Sequence, residues 1–409
     1  INMSDIMEKS IIILNIVMAG GGDYALGKKI KDIARSTQAE GVLFTVSVKS
    51  KKFKIESEER FNPCKAVKYN HPVIIVSPYS IMPPVTLSSV LADLFYQLDI
   101  VLCDTVILID EMDITRDYAS SDRDYEVALS NLGLKNIVLH SLGFSKKSLG
   151  YLPMPDQEII KIKKSAKLNV INLLDSYNLS LPESCGLYIA YLSSETVTTG
   201  SQVFIINTLI EEIDSQNNSA YVLVCREVNS IQRLLKNLKS IFSKPPYNDL
   251  FSECHYSTVA DEVKIMSHGY VRGTGNKKIH ICITTTLPST IFKNLTSISK
   301  TGMMSGDQSL SDYLSLKQRL PYYDKQTWKE PLIDGLNERA SELGGEELLN
   351  RFQSMVAGRT AYTGTIAFKL LTRDDVPTPA LRNSLLAFNR EVYARKADRK
   401  IREILIKYL

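Results

Sequence analysis

The chain is poor in the features that would give it an easy assignment. None of its six cysteines, Cys64, Cys103, Cys185, Cys225, Cys254 and Cys282, stands in a CxxC spacing. That excludes a disulfide framework or a cysteine-rich zinc module as the basis of the fold. At least three of them lie in apolar runs that read as strands, so buried free thiols in a reducing compartment are expected. His71, His140, His255, His268 and His280 form neither HExxH nor a paired ligand spacing, and no metal is expected. There is no polybasic block: 49 basic and 45 acidic residues are interspersed to a formal charge of +4. A nucleic-acid partner is therefore not expected. No apolar run approaches the roughly 20 residues of a membrane-spanning helix. The run 11–19 is far shorter, and no cleavage-site pattern follows it, so a cytoplasmic location is expected. The chain opens Ile1-Asn2, with Met3 the expected start, and export without a cleaved signal is left open.

What is present is the balance of a folded protein, 44% apolar and 23% charged over 409 residues, a length that favours two domains. The runs 11–19, 41–48, 72–78, 105–110 and 136–141 are rich in Val and Ile without alternation. The stretches 26–39 and 88–101 between them carry apolar residues at helical spacing. Strands of that kind separated by helices predict a parallel sheet covered on both faces. The pattern restarts with strands at 187–193, 220–226, 262–267, 278–285, 302–306 and 319–323, and helices at 200–215, 230–242, 288–297 and 309–317. The fold class expected is α/β, with two doubly wound, Rossmann-like domains facing a cleft. The expected boundaries are 1–175, 176–378, and a single charged helix at 379–409 packing across both.

The stretch 18–34, MAGGGDYALGKKIKDIA, holds four glycines after the first strand and reads in three ways. Gly22, Gly27 and Lys28 approach the GxxxxGK[ST] phosphate loop of an ATPase, and 105–111 could be its partner strand. However, Lys29 stands where a magnesium-binding hydroxyl is needed. Gly20, Gly22 and Ala25 fit a dinucleotide fingerprint, but the second strand ends Ser47-Val48-Lys49 without the ribose-gripping acid. In the third reading Gly21 and Gly22 let the backbone approach a sugar, and Asp23 points a carboxylate at it; its plainer role is to cap the following helix. The loop alone leaves all three open.

The stretch 301–336 runs from a short strand through Ser305 and Gly306 to an acid and hydroxyls at the head of a helix, then to Pro321-Tyr322-Tyr323. A helix amino terminus with free amides and partial positive charge suits a diphosphate. Gly306 permits close approach, Ser309 and Ser311 can donate to phosphate, and Asp307 can accept from sugar or ribose hydroxyls. This pattern resembles the donor-binding signature of GT-B fold glycosyltransferases. Together with the glycine loop it is similar to the protein-arginine rhamnosyltransferases, whose Asn-Tyr-Gly-Asp-Ile-Gly loop falls on GGGDYALG. Their Gly-Glu-Asp-Ser-Phe helix opening falls on Gly306-Asp307-Gln308-Ser309-Leu310. The sequence departs from them at Asp307 and Gln308.

The resemblance implies a GT-B architecture and a metal-independent, inverting transfer from a nucleotide-sugar, which is co-substrate rather than cofactor, to an acceptor that could be a protein. It implies Asp23 and Asp307 as catalytic carboxylates. Donor contacts are expected from Gly21, Gly22, Gly306, Gln308 and Ser309. By position on strand ends they are also expected from Thr198, Thr199, Gly200, Ser201, Arg226 and His268. Asp110, Glu111 and Asp113, at another strand end, are candidates to hold the acceptor. The alternatives are a P-loop-type ATPase and a non-catalytic binding protein of the same fold.

Overall fold

The computed structural model describes residues 9–17, 21–49, 52–113, 118–176, 184–192, 197–212, 215–225, 231–260, 264–284, 287, 289–359, 366–367 and 377–409. The chain forms two compact units, Ile1–Leu152 with Arg395–Leu409, and Pro153–Ala394.

The first unit is built on β1 (Ile11–Ile16), α1 (Gly21–Arg35), β2 (Gly41–Lys49), β3 (Lys52–Arg60), β4 (Val73–Ser77), α2 (Pro84–Gln97), β5 (Thr105–Asp110), α3 (Tyr118–Ser130) and β6 (Asn136–Ser141). The five strands expected from apolar runs all form, and they pair in parallel in the order β2-β1-β4-β5-β6. Every residue of β1 is buried because both faces are covered. Ile12, Leu14 and Ile16 pack with Leu87, Leu91 and Leu94 of α2, while Leu26, Ile30 and Ala34 give α1 a buried stripe at four-residue spacing. Each such aliphatic side chain contributes about 1.5–3 kcal/mol of burial. An antiparallel strand, β3, closes the edge. Its sequence KFKIESEER has no apolar run and exposes its charges, which blunts the edge against further pairing.

The second unit comprises α4 (Asp156–Ser176), β7 (Cys185–Tyr191), α5 (Val197–Glu212), β8 (Ser219–Cys225), α6 (Ile231–Phe242), β9 (Glu253–Ala260), β10 (Lys264–Arg272), β11 (Lys278–Thr284), α7 (Ser289–Ile298), β12 (Thr301–Met304), α8 (Asp307–Lys317), β13 (Tyr322–Lys325), α9 (Glu330–Gln353), β14 (Val356–Arg359), β15 (Ile366–Ala367) and α10 (Pro379–Ala394). Its sheet order is β10-β9-β11-β8-β7-β12-β13-β14-β15. The core of that order, β11-β8-β7-β12-β13, is parallel and doubly wound. Alternate residues of β7 face opposite ways: Tyr188 and Ala190 meet α5 and α6, whereas Leu187 and Ile189 meet α4, α7 and α8. The helix α4, which the sequence reading left on the first domain's side of residue 175, lies in this unit because Val170 and Leu174 join that second core.

The stretch 379–409 is two helices rather than one. The chain leaves α10 at Ala394 and enters α11 (Asp398–Tyr408), which packs on α1. The break has a tertiary cause: Arg395 offers its carbonyl to the Tyr151 amide at 3.0 Å, and the Ala397 amide donates to the Tyr151 carbonyl at 2.7 Å. Gly150 makes this approach possible, with φ +105° and space for no Cβ, which would fall 2.0 Å from the Arg395 carbonyl oxygen. Gly150→Ala is expected to destabilise the fold by about 2 kcal/mol or more, from the left-handed strain and the clash together. A denaturant midpoint equal to that of the parent protein would contradict this.

One stack of rings crosses the second sheet, with Tyr221 to His280 at 4.5 Å, His280 to His255 at 5.2 Å, and His255 to Tyr270 at 5.1 Å between centroids. Burial and then the neighbouring His255 hold the His280 pKa below 6.5. Because the folded imidazole titrates lower than the unfolded one, the unfolded chain takes up the proton first as pH falls. This contribution to stability is full above about pH 6.5 and is lost on acidification toward the folded pKa. The melting temperature is expected to drop between about pH 7 and pH 5, and to drop less in His280→Phe, as calorimetry would read.

Candidate functional site

In an open α/β sheet, ligands bind beyond the carboxyl ends of the strands where the winding direction reverses. In the second sheet that point lies at β7 and β12: α5 leads from β7 toward β8, and α8 leads from β12 the other way, toward β13. The heads of α5 and α8 therefore flank one crevice on opposite faces of the sheet. These are the segments from which Thr198 to Ser201 and Gly306 to Ser309 were expected to serve.

The head of α8 has the geometry of an anion site. Gly306 caps it with φ 91° and ψ 163°, a region essentially restricted to glycine, and no side chain caps the helix. A Cβ built on Gly306 would meet no atom within 4 Å. The first-turn amides of Asp307, Gln308 and Ser309 thus carry the helix's partial positive charge without a side-chain acceptor. Asp307 gives Oδ2 to the Lys329 ammonium at 2.6 Å, with the lysine only 5% exposed, while Oδ1 is buried with no hydrogen-bond partner. Beside it the Tyr323 hydroxyl is also buried without a well-formed hydrogen bond. Burial and the Asp307 charge hold that phenol far above its ordinary range, against a smaller pull from the Gly306 amide, so it stays a neutral donor. Ser309 is half-buried, and Gln308 is turned along the helix, donating to Asp312 at 3.0 Å.

Other expectations change. Ser311 is buried and its hydroxyl donates to the Asp307 carbonyl at 2.9 Å, so it does not face a phosphate. Tyr322 points the opposite way from Tyr323: it is fully buried and its hydroxyl donates to Glu211 at 2.5 Å. The stretch 197–201 is the first turn of α5 rather than a loop, and 193–196 and Arg226 lie outside the described residues. Thr198 and Thr199 are placed there by backbone alone. Gly200 and Ser201 are buried, and a Cβ on Gly200 would sit 3.1 Å from Asp324 Cγ. A fully buried carboxyl, Asp324, thus rests against α5's positive end, favourably for the helix dipole.

His268 is not brought to this crevice. It lies on β10, five strands from β12, or about 24 Å at the usual strand spacing. Its Nε2 is 2.8 Å from the Thr258 hydroxyl, and its carbonyl accepts from Lys239.

In the first unit the winding reverses between β1 and β4. Residues 18–20 lie outside the described ones. The helix α1 begins at Gly21, earlier than the sequence suggested, so Gly21, Gly22 and Asp23 form its first turn and Asp23 is not the cap. This overturns the P-loop reading. Gly22 to Lys28 is helical throughout, so its backbone amides cannot wrap a phosphate, and Lys29 donates to the Leu152 carbonyl at 3.0 Å. Asp110 and Asp113 are fully buried. Asp110 accepts from Ser80 at 2.7 Å. Asp113, raised by burial against several hydrogen bonds, ties down the following loop through the Phe144 amide at 2.8 Å and the Ser148 hydroxyl. Its work is structural.

Lys329 and Asp324 were not singled out from the sequence, and Tyr323 entered only as part of Pro321-Tyr322-Tyr323. The one signal was their place in the stretch after the short strand at 319–323, where Lys325 and Lys329 recur at helical spacing.

No family model and no curated protein matches the chain. Among solved structures it is similar to EarP from a study of arginine glycosylation of translation elongation factor EF-P, with a TM-score of 0.36, 12% identity, and coverage of 74% of this chain and 99% of that one. It is also similar to a UDP-forming α,α-trehalose-phosphate synthase from Burkholderia vietnamiensis (TM-score 0.41, 9% identity, 98% and 99% covered). A third is the E. coli trehalose-6-phosphate structure bound with UDP-2-fluoro glucose (TM-score 0.35, 9% identity, 98% of both chains). Likenesses this slight assign no activity. The fold class rests on the two doubly wound sheets themselves. Among the described residues no helix is long and apolar enough to cross a membrane.

Proposed function

We propose that the chain is a GT-B glycosyltransferase that moves a sugar from a nucleotide-sugar donor to an acceptor, with inversion and without a metal. The observation that carries this reading is the coincidence of the second sheet's winding reversal with the uncapped, glycine-led head of α8. The donor's diphosphate would rest on the amides of Asp307, Gln308 and Ser309, with Gly306 admitting it and the Ser309 hydroxyl donating. Asp307 Oδ1 would accept from a ribose or sugar hydroxyl. Gly21 and Gly22 remain proposed donor contacts, and Asp23 beside them in the first turn of α1 is assigned to the acceptor. It takes the acceptor's proton as the acceptor atom bonds to the anomeric carbon and the bond to the diphosphate breaks. The leaving charge passes to oriented amides, a form of preorganised electrostatic stabilisation. Thr198, Thr199 and Arg226 remain proposed donor contacts. The nucleotide-sugar is the co-substrate, a protein is the first acceptor class to examine, and the cytoplasm is the proposed location.

A thermal-shift series tests this. At 100 times Kd, a nucleoside diphosphate should raise the melting temperature by about 5–10 °C, with or without EDTA. Gly306→Ala, which forces alanine into glycine-only backbone at a cost of about 1–3 kcal/mol, should lose most of the shift. No shift with any nucleoside diphosphate would end the proposal. Binding without sugar transfer, unchanged in Asp23→Ala, would leave a binding protein of this fold.

A further inference from the structure

The helix α4 is anchored by one face and presents another that the fold does not need. Ile162, Ala166, Val170 and Leu174 are buried at regular four-residue steps, which already fixes the helix against its unit. On the opposite side Ile160, Leu168 and Ile171 are 59%, 65% and 42% exposed. At 100° per residue these three fall within an arc of about 80°, in a row about 16 Å long. Lys164 lies inside that arc, Lys163 and Lys167 flank it on one side, and Lys161 flanks it on the other; all four are exposed. Between Ile160 and Ile171 the helix carries no acid, and among the described residues none of the four lysines is ion-paired. The acids of α4, Asp156, Glu158 and Asp175, stand at its ends, and Glu158 is taken by Lys293 at 2.8 Å.

We propose that this face of α4 docks on an anionic lipid surface, with Ile160, Leu168 and Ile171 entering the interface and the four lysines meeting the headgroups. The side-chain chemistry selects lipid over a protein partner. Protein interfaces are depleted in lysine and anchored by aromatic residues and arginine, and the exposed face of α4 has neither of those anchors. A straight apolar row flanked on both sides by long cationic side chains is instead the arrangement that lies flat in a headgroup layer, the lysine stems packing on apolar surface while the ammonium groups reach outward. The attraction is additive over the lysines and decays within a Debye length, so it depends on ionic strength. This docking is independent of the proposed transfer chemistry.

The test uses the whole chain in flotation with vesicles of phosphatidylcholine alone and of phosphatidylcholine mixed with phosphatidylserine. The protein is expected to float with the mixed vesicles, to stay behind with the neutral ones, and to be released by high salt. Replacing Lys161, Lys163, Lys164 and Lys167 by glutamine should weaken partition by about 10²–10³-fold. Ile160→Ser, Leu168→Ser and Ile171→Ser together should weaken it by about tenfold or more. All seven side chains are solvent-facing, so the far-UV dichroism and melting temperature of both variants should match the parent. Failure to float with anionic vesicles would overturn the proposal, as would floating that neither variant reduces. Capture by polyglutamate beads without vesicle binding would also overturn it, in favour of an acidic protein surface.

Discussion

Asp23→Asn is expected to lower kcat by about 10²–10⁴-fold while leaving nucleoside-diphosphate affinity unchanged. The substitution is nearly isosteric and keeps the first turn of α1, so a loss confined to turnover would isolate proton abstraction. Asparagine cannot accept the proton that the attacking atom must shed. The diphosphate is assigned to backbone amides at the head of α8, which belongs to the other unit. Sugar transfer followed by mass spectrometry, paired with calorimetric titration of the nucleotide, separates the two quantities. A variant with parental turnover would remove Asp23 from the mechanism, and one with lost affinity would turn it into a binding residue.

Lys329→Met should cost about 2–4 kcal/mol of folding stability. The lysine is 5% exposed and its partner Asp307 is 21% exposed, so removing the ammonium leaves a largely buried carboxylate without its counter-charge. The figure is set below that of a fully buried pair because water still reaches part of Asp307. The double variant Lys329→Met, Asp307→Leu should recover most of the stability, since neither charge is then stranded, but not the nucleotide-induced thermal shift. Recovery of both would reduce the pair to scaffolding. A single variant as stable as the parent would mean that solvent alone satisfies Asp307.

Much of the fold is legible in the sequence because buried parallel strands have few alternatives to continuous Val and Ile. The five strands of the first sheet follow from runs such as IIILNI and TVILID to within a few residues. What escaped has a shared physical character. β3 is a charged edge strand, and β9, ECHYSTVA, mixes polar and apolar residues; neither shows a run. The interruption between α10 and α11 comes from hydrogen bonds to Tyr151, far away in sequence, while the local pattern continues as helix. At the site, Gly306 and Asp307 could be read because a glycine before an acid-led helix is a local signal. Lys329 could not, since its pairing with Asp307 exists only once β13 lies beside β12. The glycine-rich segment stayed ambiguous because sequence fixes helix starts poorly, and the start at Gly21 is what removes the phosphate-loop reading.

The first unit is discontinuous, assembled from Ile1–Leu152 and Arg395–Leu409, whereas the second is one uninterrupted segment. The α1 surface that receives α11 therefore stays uncovered during synthesis until residues 395–409 have been made, after every residue of the second unit. A chain halted before Arg395 would hold every residue of the second unit but would leave the first without the helix that covers α1.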